Sequence, residues 1–97
     1  MPIKSKTKSK GRKLPRPFKM LWGQGLVTEE AYFVSEYHEP AIQLLEFEDG
    51  SEVVRFCFYR KGSFSKNPLM LGKQDFAKMK KALAKTKRLK KLLKAMF

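Results

Sequence analysis

The chain has one cysteine, Cys57, and one histidine, His38, among its 97 residues. A single thiol cannot form an internal disulfide, so the sequence excludes a disulfide-built secreted domain and favours a reducing compartment. One cysteine and one histidine cannot supply the ligands of a structural zinc site, and we expect no metal and no cofactor. No apolar run approaches the ~18 residues of a membrane span, and no secretory segment follows the first basic residues. These absences predict an intracellular protein, in the cytoplasm or nucleoid, or in the nucleus if eukaryotic, with no membrane partner.

Catalytic motifs are missing too. His38 lies beside Glu36 and Glu39, but nothing nearby in the sequence supplies a nucleophile or a metal cluster for it, and lone histidines of this kind are far more often structural. We therefore expect a protein that is not an enzyme.

Acidic residues are few and unevenly placed. The chain has 22 lysines and arginines against 9 aspartates and glutamates, a formal net charge of +13. Residues 1–20 contain no acid, residues 21–54 contain no lysine or arginine, and residues 55–97 contain one acid, Asp75. So large a surplus on a short chain favours a polyanionic partner, and nucleic acid is the commonest polyanion in a cell.

Residues 1–20 are predicted to be a flexible basic arm, because their basic residues alternate with Ser, Thr, Gly and Pro without a hydrophobic period. Lys10, Arg12 and Lys13 are predicted phosphate contacts within it. Residues 21–97 are predicted to form a single α+β domain that binds nucleic acid.

Patterns of period two predict a sheet in the middle of the chain. Strands are expected at residues 31–37, 42–47 and 53–59, where β-branched and aromatic residues are concentrated. Asp49-Gly50 predicts a tight hairpin between the last two, because this dipeptide readily takes positive φ angles. Residues 68–71 are a candidate edge strand, where a proline is tolerated.

After Gly72 the period becomes helical, with an apolar stripe that includes Phe76, Met79, Leu83, Leu89 and Leu93. The stripe thins between Leu83 and Leu89, which predicts a bend, a break or a frayed second half. The expected fold is α+β: an antiparallel β-meander of about four strands followed by one C-terminal amphipathic helix that covers one face of the sheet.

This order of elements resembles the positive cofactor four family of transcriptional coactivators, single-stranded-DNA-binding proteins related in fold to the Whirly proteins. The similarity covers about residues 41–96. It rests on the hairpin at 45–50, the strand at 53–60, the glycine-containing loop at 61–66, the segment 68–71 and the helix from Lys73. The chain departs from the family at Asn67-Pro68, where a lysine-glycine pair is common, and at Phe76, where a tryptophan is common.

The resemblance implies a homodimer whose helices form the contact. The residues that would form it are Phe76, Met79, Leu83, Leu89 and Leu93. It also implies that the outward face of the sheet and the hairpin loop bind nucleic acid. That predicted cluster contains Arg55, Tyr59, Arg60, Lys61, Phe64 and Lys66. Its cations and rings alternate, and single-strand binding needs both, because cations follow the phosphates while rings stack on bases.

We predict a non-catalytic DNA-binding protein with a preference for single-stranded or melted DNA, acting in transcription, replication or recombination, with a transcription or replication protein as a candidate partner. Two alternatives stay open. The composition suits an RNA-binding or ribosome-associated protein equally, and the acidic segment could instead bind a protein such as RNA polymerase.

The basic run 85–94 could be the solvated back of a dimer helix, an additional nucleic-acid surface, or a membrane or calmodulin-like contact.

Overall fold

A computed structural model describes residues 12–96, which form a five-stranded antiparallel sheet with two short helices on one face. The strands are β1 (Arg16–Met20), β2 (Gly23–Tyr32), β3 (Glu39–Phe47), β4 (Glu52–Arg60) and β5 (Ser63–Phe64). They lie side by side in chain order. A 3₁₀ turn at Lys73–Asp75 leads into helix α1 (Phe76–Leu83), and helix α2 (Lys87–Lys94) follows. The predicted meander with helical structure after it is confirmed, with five strands instead of four.

The start of the sheet differs from the prediction. Residues 16–20 were expected in the flexible arm, but they pair with β2 in the register Arg16 to Val27 through Met20 to Gly23. Gly25 of β2 permits the close approach of β3 on its other side, because a Cβ there would lie 2.0 Å from the backbone oxygen of Glu46. Residues 1–11, including the predicted phosphate contact Lys10, lie outside the described residues.

The end of the sheet also differs. Residues 68–71 form no strand, and the last strand is the two-residue β5. The chain turns back directly after β4 because Lys61 and Gly62 both take positive φ angles, 51° and 83°, as a two-residue hairpin turn requires. At the opposite end of β4, Gly50 has a φ of 90°, which confirms the predicted Asp49-Gly50 hairpin.

The predicted single helix is interrupted. Thr86 is extended, with a φ of −119°, and its hydroxyl donates a hydrogen bond of 2.9 Å to the carbonyl oxygen of Leu83. The expected interruption between Leu83 and Leu89 is therefore confirmed, and one continuous helix is not. The amino end of α2 is held by the sheet, because Oε1 of Glu29 accepts a hydrogen bond of 2.9 Å from the backbone N–H of Leu89.

The main core lies between the helices and the sheet. Ala31, Ile42 and Leu44 of β2 and β3 pack against the helical side chains Met79, Leu89 and Leu93. These three helical residues are 4%, 0% and 7% exposed. They were predicted to contact a second copy, and the structure corrects this, because the apolar stripe packs against its own sheet. Phe76 remains 58% exposed, and Leu83 is half-buried.

Replacing Leu89 by Ala is expected to lower the free energy of unfolding by about 2–5 kcal/mol, because the side chain is fully buried. Phe76→Ala, at an exposed position of the same stripe, should cost less than about 1 kcal/mol. Urea denaturation followed by circular dichroism measures both. A wild-type midpoint that rises with protein concentration, and loses that dependence in Leu89→Ala, would instead make Leu89 an intermolecular contact.

Candidate nucleic-acid interface

The face of the sheet away from the helices carries a network of polar side chains. Strand register aligns its members, since Glu30 of β2 lies opposite Gln43 of β3, and Gln43 lies opposite Arg55 of β4. Side chains alternate along a strand, so these residues point to the same face. With Arg16 and Tyr59 they form what we call the network face.

The carboxylate of Glu30 is the centre of this network, and its side chain is 1% exposed. Arg16 binds it with both terminal nitrogens, at 3.0 and 3.2 Å, and Nε2 of Gln43 donates a third hydrogen bond of 2.8 Å. Burial raises the pKa of Glu30, but the hydrogen bonds from Arg16 and Gln43 outweigh it. The net pKa lies below its usual value, and the buried group stays ionised at neutral pH.

Tyr59 and Arg55 are held in the same network. The hydroxyl oxygen of Tyr59 accepts hydrogen bonds from Arg16 at 3.2 Å and from Gln43 at 3.0 Å. Nε of Arg55 donates to Oε1 of Gln43 at 2.8 Å. Tyr59 is only 8% exposed. The expectation that Tyr59 faces outward as a stacking platform is therefore corrected, because its hydroxyl and its ring are used inside the fold.

The sheet curls, which explains why this face is closed. Arg16 of β1 reaches Tyr59 of β4 although two strands separate them, and the guanidinium of Arg55 lies 5.9 Å from the ring centre of Phe18 on β1. The register of β2 shifts between Val27 and Glu29. An extra residue of this kind increases local strand twist, which bends β1 back over the face.

Arg12 is also bound within the fold. Its guanidinium lies 4.1 Å from the ring centre of Tyr59 and 5.0 Å from that of Tyr32. It donates a hydrogen bond of 3.3 Å to Glu39, and its Nε lies 3.5 Å from Glu30. Its charge is therefore opposed by two carboxylates. This corrects the expectation of an open phosphate contact at Arg12.

The other predicted contacts within the described chain lie at the surface. Arg60, Lys61, Lys66 and Lys13 are exposed, and Phe64 is 46% exposed. The guanidinium of Arg55 lies 4.7 Å from the ring centre of Phe64, and the ring of Tyr59 meets it edge-on at 5.6 Å. Phe64 thus keeps nearly half its surface in contact with solvent.

A cleft of about 440 Å³ lies at the end of the sheet where β2 and β4 end and β3 begins, and it is lined by residues 34–39 and 60–62. Tyr37 lies in its wall and is 75% exposed. This ring was not a predicted site residue, because residues 31–37 were expected to form a strand, whereas β2 ends at Tyr32. We define the loop-end surface as Tyr37, Arg60, Lys61, Phe64 and Lys66.

His38 has a hydroxyl neighbour that the sequence analysis did not find. Oγ of Ser35 lies 2.8 Å from Nδ1 of His38 and donates a hydrogen bond of 2.7 Å to the carbonyl oxygen of His38. The pair closes the turn between β2 and β3, and the backbone N–H of Ser35 also donates to the carbonyl oxygen of His38 at 2.9 Å.

The helices, with the turn before them and the link between them, carry the largest group of cations without an ion pair among the described residues. Nine lysines between residues 73 and 94 are all exposed. We call them the lysine layer: Lys73, Lys78, Lys80, Lys81, Lys85, Lys87, Lys90, Lys91 and Lys94. Nζ of Lys78 lies 5.9 Å from the ring centre of Phe33, which directly follows β2. The layer therefore adjoins the end of the sheet that bears the loop-end surface.

Arginine, by contrast, forms the ion pairs of the described residues. Arg12 and Arg16 pair with Glu30 and Glu39, and Arg88 pairs with Glu46 at 2.6 Å and with Glu52. The hydrogen bond from Arg88 lowers the pKa of Glu46.

Seven of the eight acids in the acidic segment 21–54 accept hydrogen bonds or form ion pairs within the chain: Glu29, Glu30, Glu39, Glu46, Glu48, Asp49 and Glu52. None of the ion pairs between described residues uses a lysine. The lysine layer therefore carries nine positive charges that no described carboxylate pairs with.

Cys57 is buried at 3% exposure in the sheet, opposite Ala41. Burial raises the pKa of its thiol to about 11, so the group is protonated and unreactive at neutral pH.

Comparisons of the chain with family models, with curated proteins and with solved structures give no match. The resemblance to the positive cofactor four family therefore gains no support from them and stays a hypothesis. Within residues 12–96, no group of three or more metal-ligating side chains comes together, and neither helix has the length and apolar character needed to cross a bilayer.

Glu30→Gln is expected to lower the free energy of unfolding by about 3 kcal/mol at pH 7, because it leaves Arg16 with a buried neutral partner. Glu36→Gln, in an exposed loop, is the matched control and should stay within about 0.5 kcal/mol of wild type. Urea denaturation at both pH 7 and pH 3 measures the effect.

The difference between wild type and Glu30→Gln should also depend on pH. The folded-state pKa of Glu30 is lower than its ordinary value of 4.5. Its charge therefore stabilises the fold above that value, and the stabilisation is lost as the pH falls through the folded-state pKa. A difference that was the same at pH 3 as at pH 7 would show that the charge of Glu30 is not what stabilises the sheet.

Proposed function

We propose that this chain is a non-catalytic nucleic-acid-binding protein that prefers single-stranded or melted DNA, with the lysine layer following the phosphates. The observation that carries the proposal is the separation of the two cation types. Arginines pair with Glu30, Glu39, Glu46 and Glu52, while nine exposed lysines between residues 73 and 94 are left without an ion pair among the described residues. Lysines that face water can neutralise phosphates and so release the counterions condensed on the nucleic acid, which is the main source of sequence-independent affinity.

The preference for single strands is supported by the loop-end surface. Tyr37 and Phe64 are 75% and 46% exposed, and Arg60 and Lys61 are exposed beside the same cleft. An unpaired base offers a π-face to such rings, whereas the bases of a duplex are already stacked. Because the lysine layer begins next to this end of the sheet, one strand could contact both surfaces.

RNA presents the same phosphates and unpaired bases, so RNA is the second nucleic acid to be measured. Protein capture by the acidic segment has less support, because seven of its eight acids already accept hydrogen bonds or form ion pairs within the chain. The homodimer implied by the resemblance stays a prediction, and light scattering measures it directly. Exposed DNA in transcription, replication or recombination is the setting that a single-strand preference implies.

The triple variant Lys73→Gln, Lys78→Gln, Lys81→Gln is expected to weaken binding to a single-stranded oligonucleotide by about tenfold in ~50 mM salt, because fewer counterions are released. The slope of log affinity against log salt should fall by about 0.7 for each phosphate that the variant no longer neutralises. Fluorescence anisotropy across a salt series measures both quantities, with single-stranded DNA, duplex DNA and RNA compared.

The control removes the same net charge elsewhere. Lys19→Glu combined with Leu21→Glu also lowers the charge by three, at exposed positions of the β1–β2 hairpin. If both variants weakened binding equally, only net charge would matter and the lysine layer would not be the interface. A wild-type protein with weak affinity for all three nucleic acids and no salt slope would overturn the proposed function.

Phe64→Ala is expected to cost about 1–3 kcal/mol of single-strand affinity, because a stacked base loses its ring, and to leave duplex affinity nearly unchanged. Phe56→Ala is the matched control, because Phe56 is 48% exposed and alternation places it on the other face of the sheet. The same anisotropy titrations measure both variants. Equal losses on single-stranded and duplex DNA would show that Phe64 does not stack on bases.

A further inference from the structure

An apolar groove runs between the two helices, with a volume of about 710 Å³. Its apolar side chains come from both helices and from the segment before α1. They are Leu71, Phe76, Met79, Leu83 and Leu93. The groove exists because the interruption at residues 84–86 separates α1 from α2. Met79 and Leu93 form its buried floor, while Phe76 is 58% exposed at its side.

The rim of this groove has one sign of charge. Lys80, Lys90 and Lys94 line it, and each is exposed. No aspartate or glutamate is among its lining residues. An apolar trough between cations is complementary to a segment with an apolar stripe flanked by carboxylates.

We propose that this groove binds an acidic amphipathic helix of a partner protein, with bulky apolar side chains in the trough and carboxylates paired with the lysine rim. Each wall is an eight-residue helix, which spans about 12 Å at 1.5 Å per residue. Two to three turns of a bound helix would therefore contact the groove. Such a segment is commonly disordered before it binds, and its apolar anchors recur at spacings of three, four and seven residues.

Charge also argues against the other occupants. A second copy seated on the groove would bring the lysine rims of both chains together, and like charges across an interface oppose association. The lysine rim would also repel residues 1–11 of the same chain, which carry four lysines and no acid and are followed by an arginine at residue 12.

The apolar floor argues against the remaining occupants. Phosphates could contact the rim, but they cannot fill an apolar floor. An anionic membrane would need the apolar stripe of α2 to face lipid, whereas Leu89 and Leu93 are buried in the core.

The experiment is a fluorescence-anisotropy titration of the full chain with a labelled synthetic helix of about 15 residues, leucines at helical spacing and glutamates elsewhere. The reference peptide has the same composition in an order without an apolar stripe. We expect micromolar affinity for the first peptide and at least tenfold weaker binding of the second. Equal affinities would overturn the proposal, because they would reduce the interaction to net charge.

Two pairs of variants locate the site. Lys80→Glu with Lys90→Glu reverses charges on the rim and should weaken binding at least tenfold. Lys81→Glu with Lys91→Glu makes the same change one residue further along each helix, outside the groove, and should have a much smaller effect. Phe76→Ala removes an exposed groove side chain, and Met70→Ala, at a position that is 77% exposed and outside the groove, is its control. Equal effects within either pair would place the peptide elsewhere.

The other occupants have their own readouts. A dimer mass by light scattering that reverts to the monomer mass in Phe76→Ala would assign the groove to a second copy. Binding to phosphatidylserine vesicles that Phe76→Ala abolishes would assign it to a membrane. Either result overturns the proposal. The peptide titration contains no nucleic acid, so its outcome is independent of the proposed DNA binding.

Discussion

The ionised carboxylate of Glu30 is the group on which the closed face of the sheet depends. Its side chain is 1% exposed beneath β1. There it needs a cation and hydrogen-bond donors, because an isolated buried charge would cost too much folding free energy. Arg16 and Gln43 pair it, and Gln43 in turn holds Arg55 and the hydroxyl of Tyr59. One carboxylate thereby connects the first four strands, and the arginine stacked on Phe64 extends the connection to the fifth.

This network also explains why arginines and lysines have different environments, arginines beside carboxylates and lysines in water. A guanidinium is planar, offers several donors in a fixed geometry and stacks on rings, so it suits half-buried positions beside carboxylates and tyrosines. Arg12 and Arg16 have such positions, while Arg88 is exposed and pairs with the carboxylates of Glu46 and Glu52. A lysine ammonium is strongly hydrated and is better left in water. Arginine pairs with four of the nine acids, whereas no lysine forms an ion pair among the described residues.

Local patterns predicted the elements whose conformation depends on near neighbours. Asp49-Gly50 forms its hairpin with a positive φ at Gly50, the strand around residues 53–59 is present as β4, and the thinning of the apolar stripe after Leu83 marks the helix interruption. Strand β1 was missed because its Arg16-Pro17-Phe18 sequence has little strand character alone. It is a strand because β2 offers it an edge with which to pair.

The sequence alone determined the size of the charge surplus, its division along the chain and the period of each segment, because these are properties of order and composition. Only the tertiary structure decided which cations are free. Arg16 meets Glu30 at a separation of 14 residues, and Arg88 meets Glu52 at a separation of 36. Such pairings depend on strand register and on the curl of the sheet. For the same reason Tyr59, which alternation placed on an outward face, lies buried under Arg12 instead of open to a base.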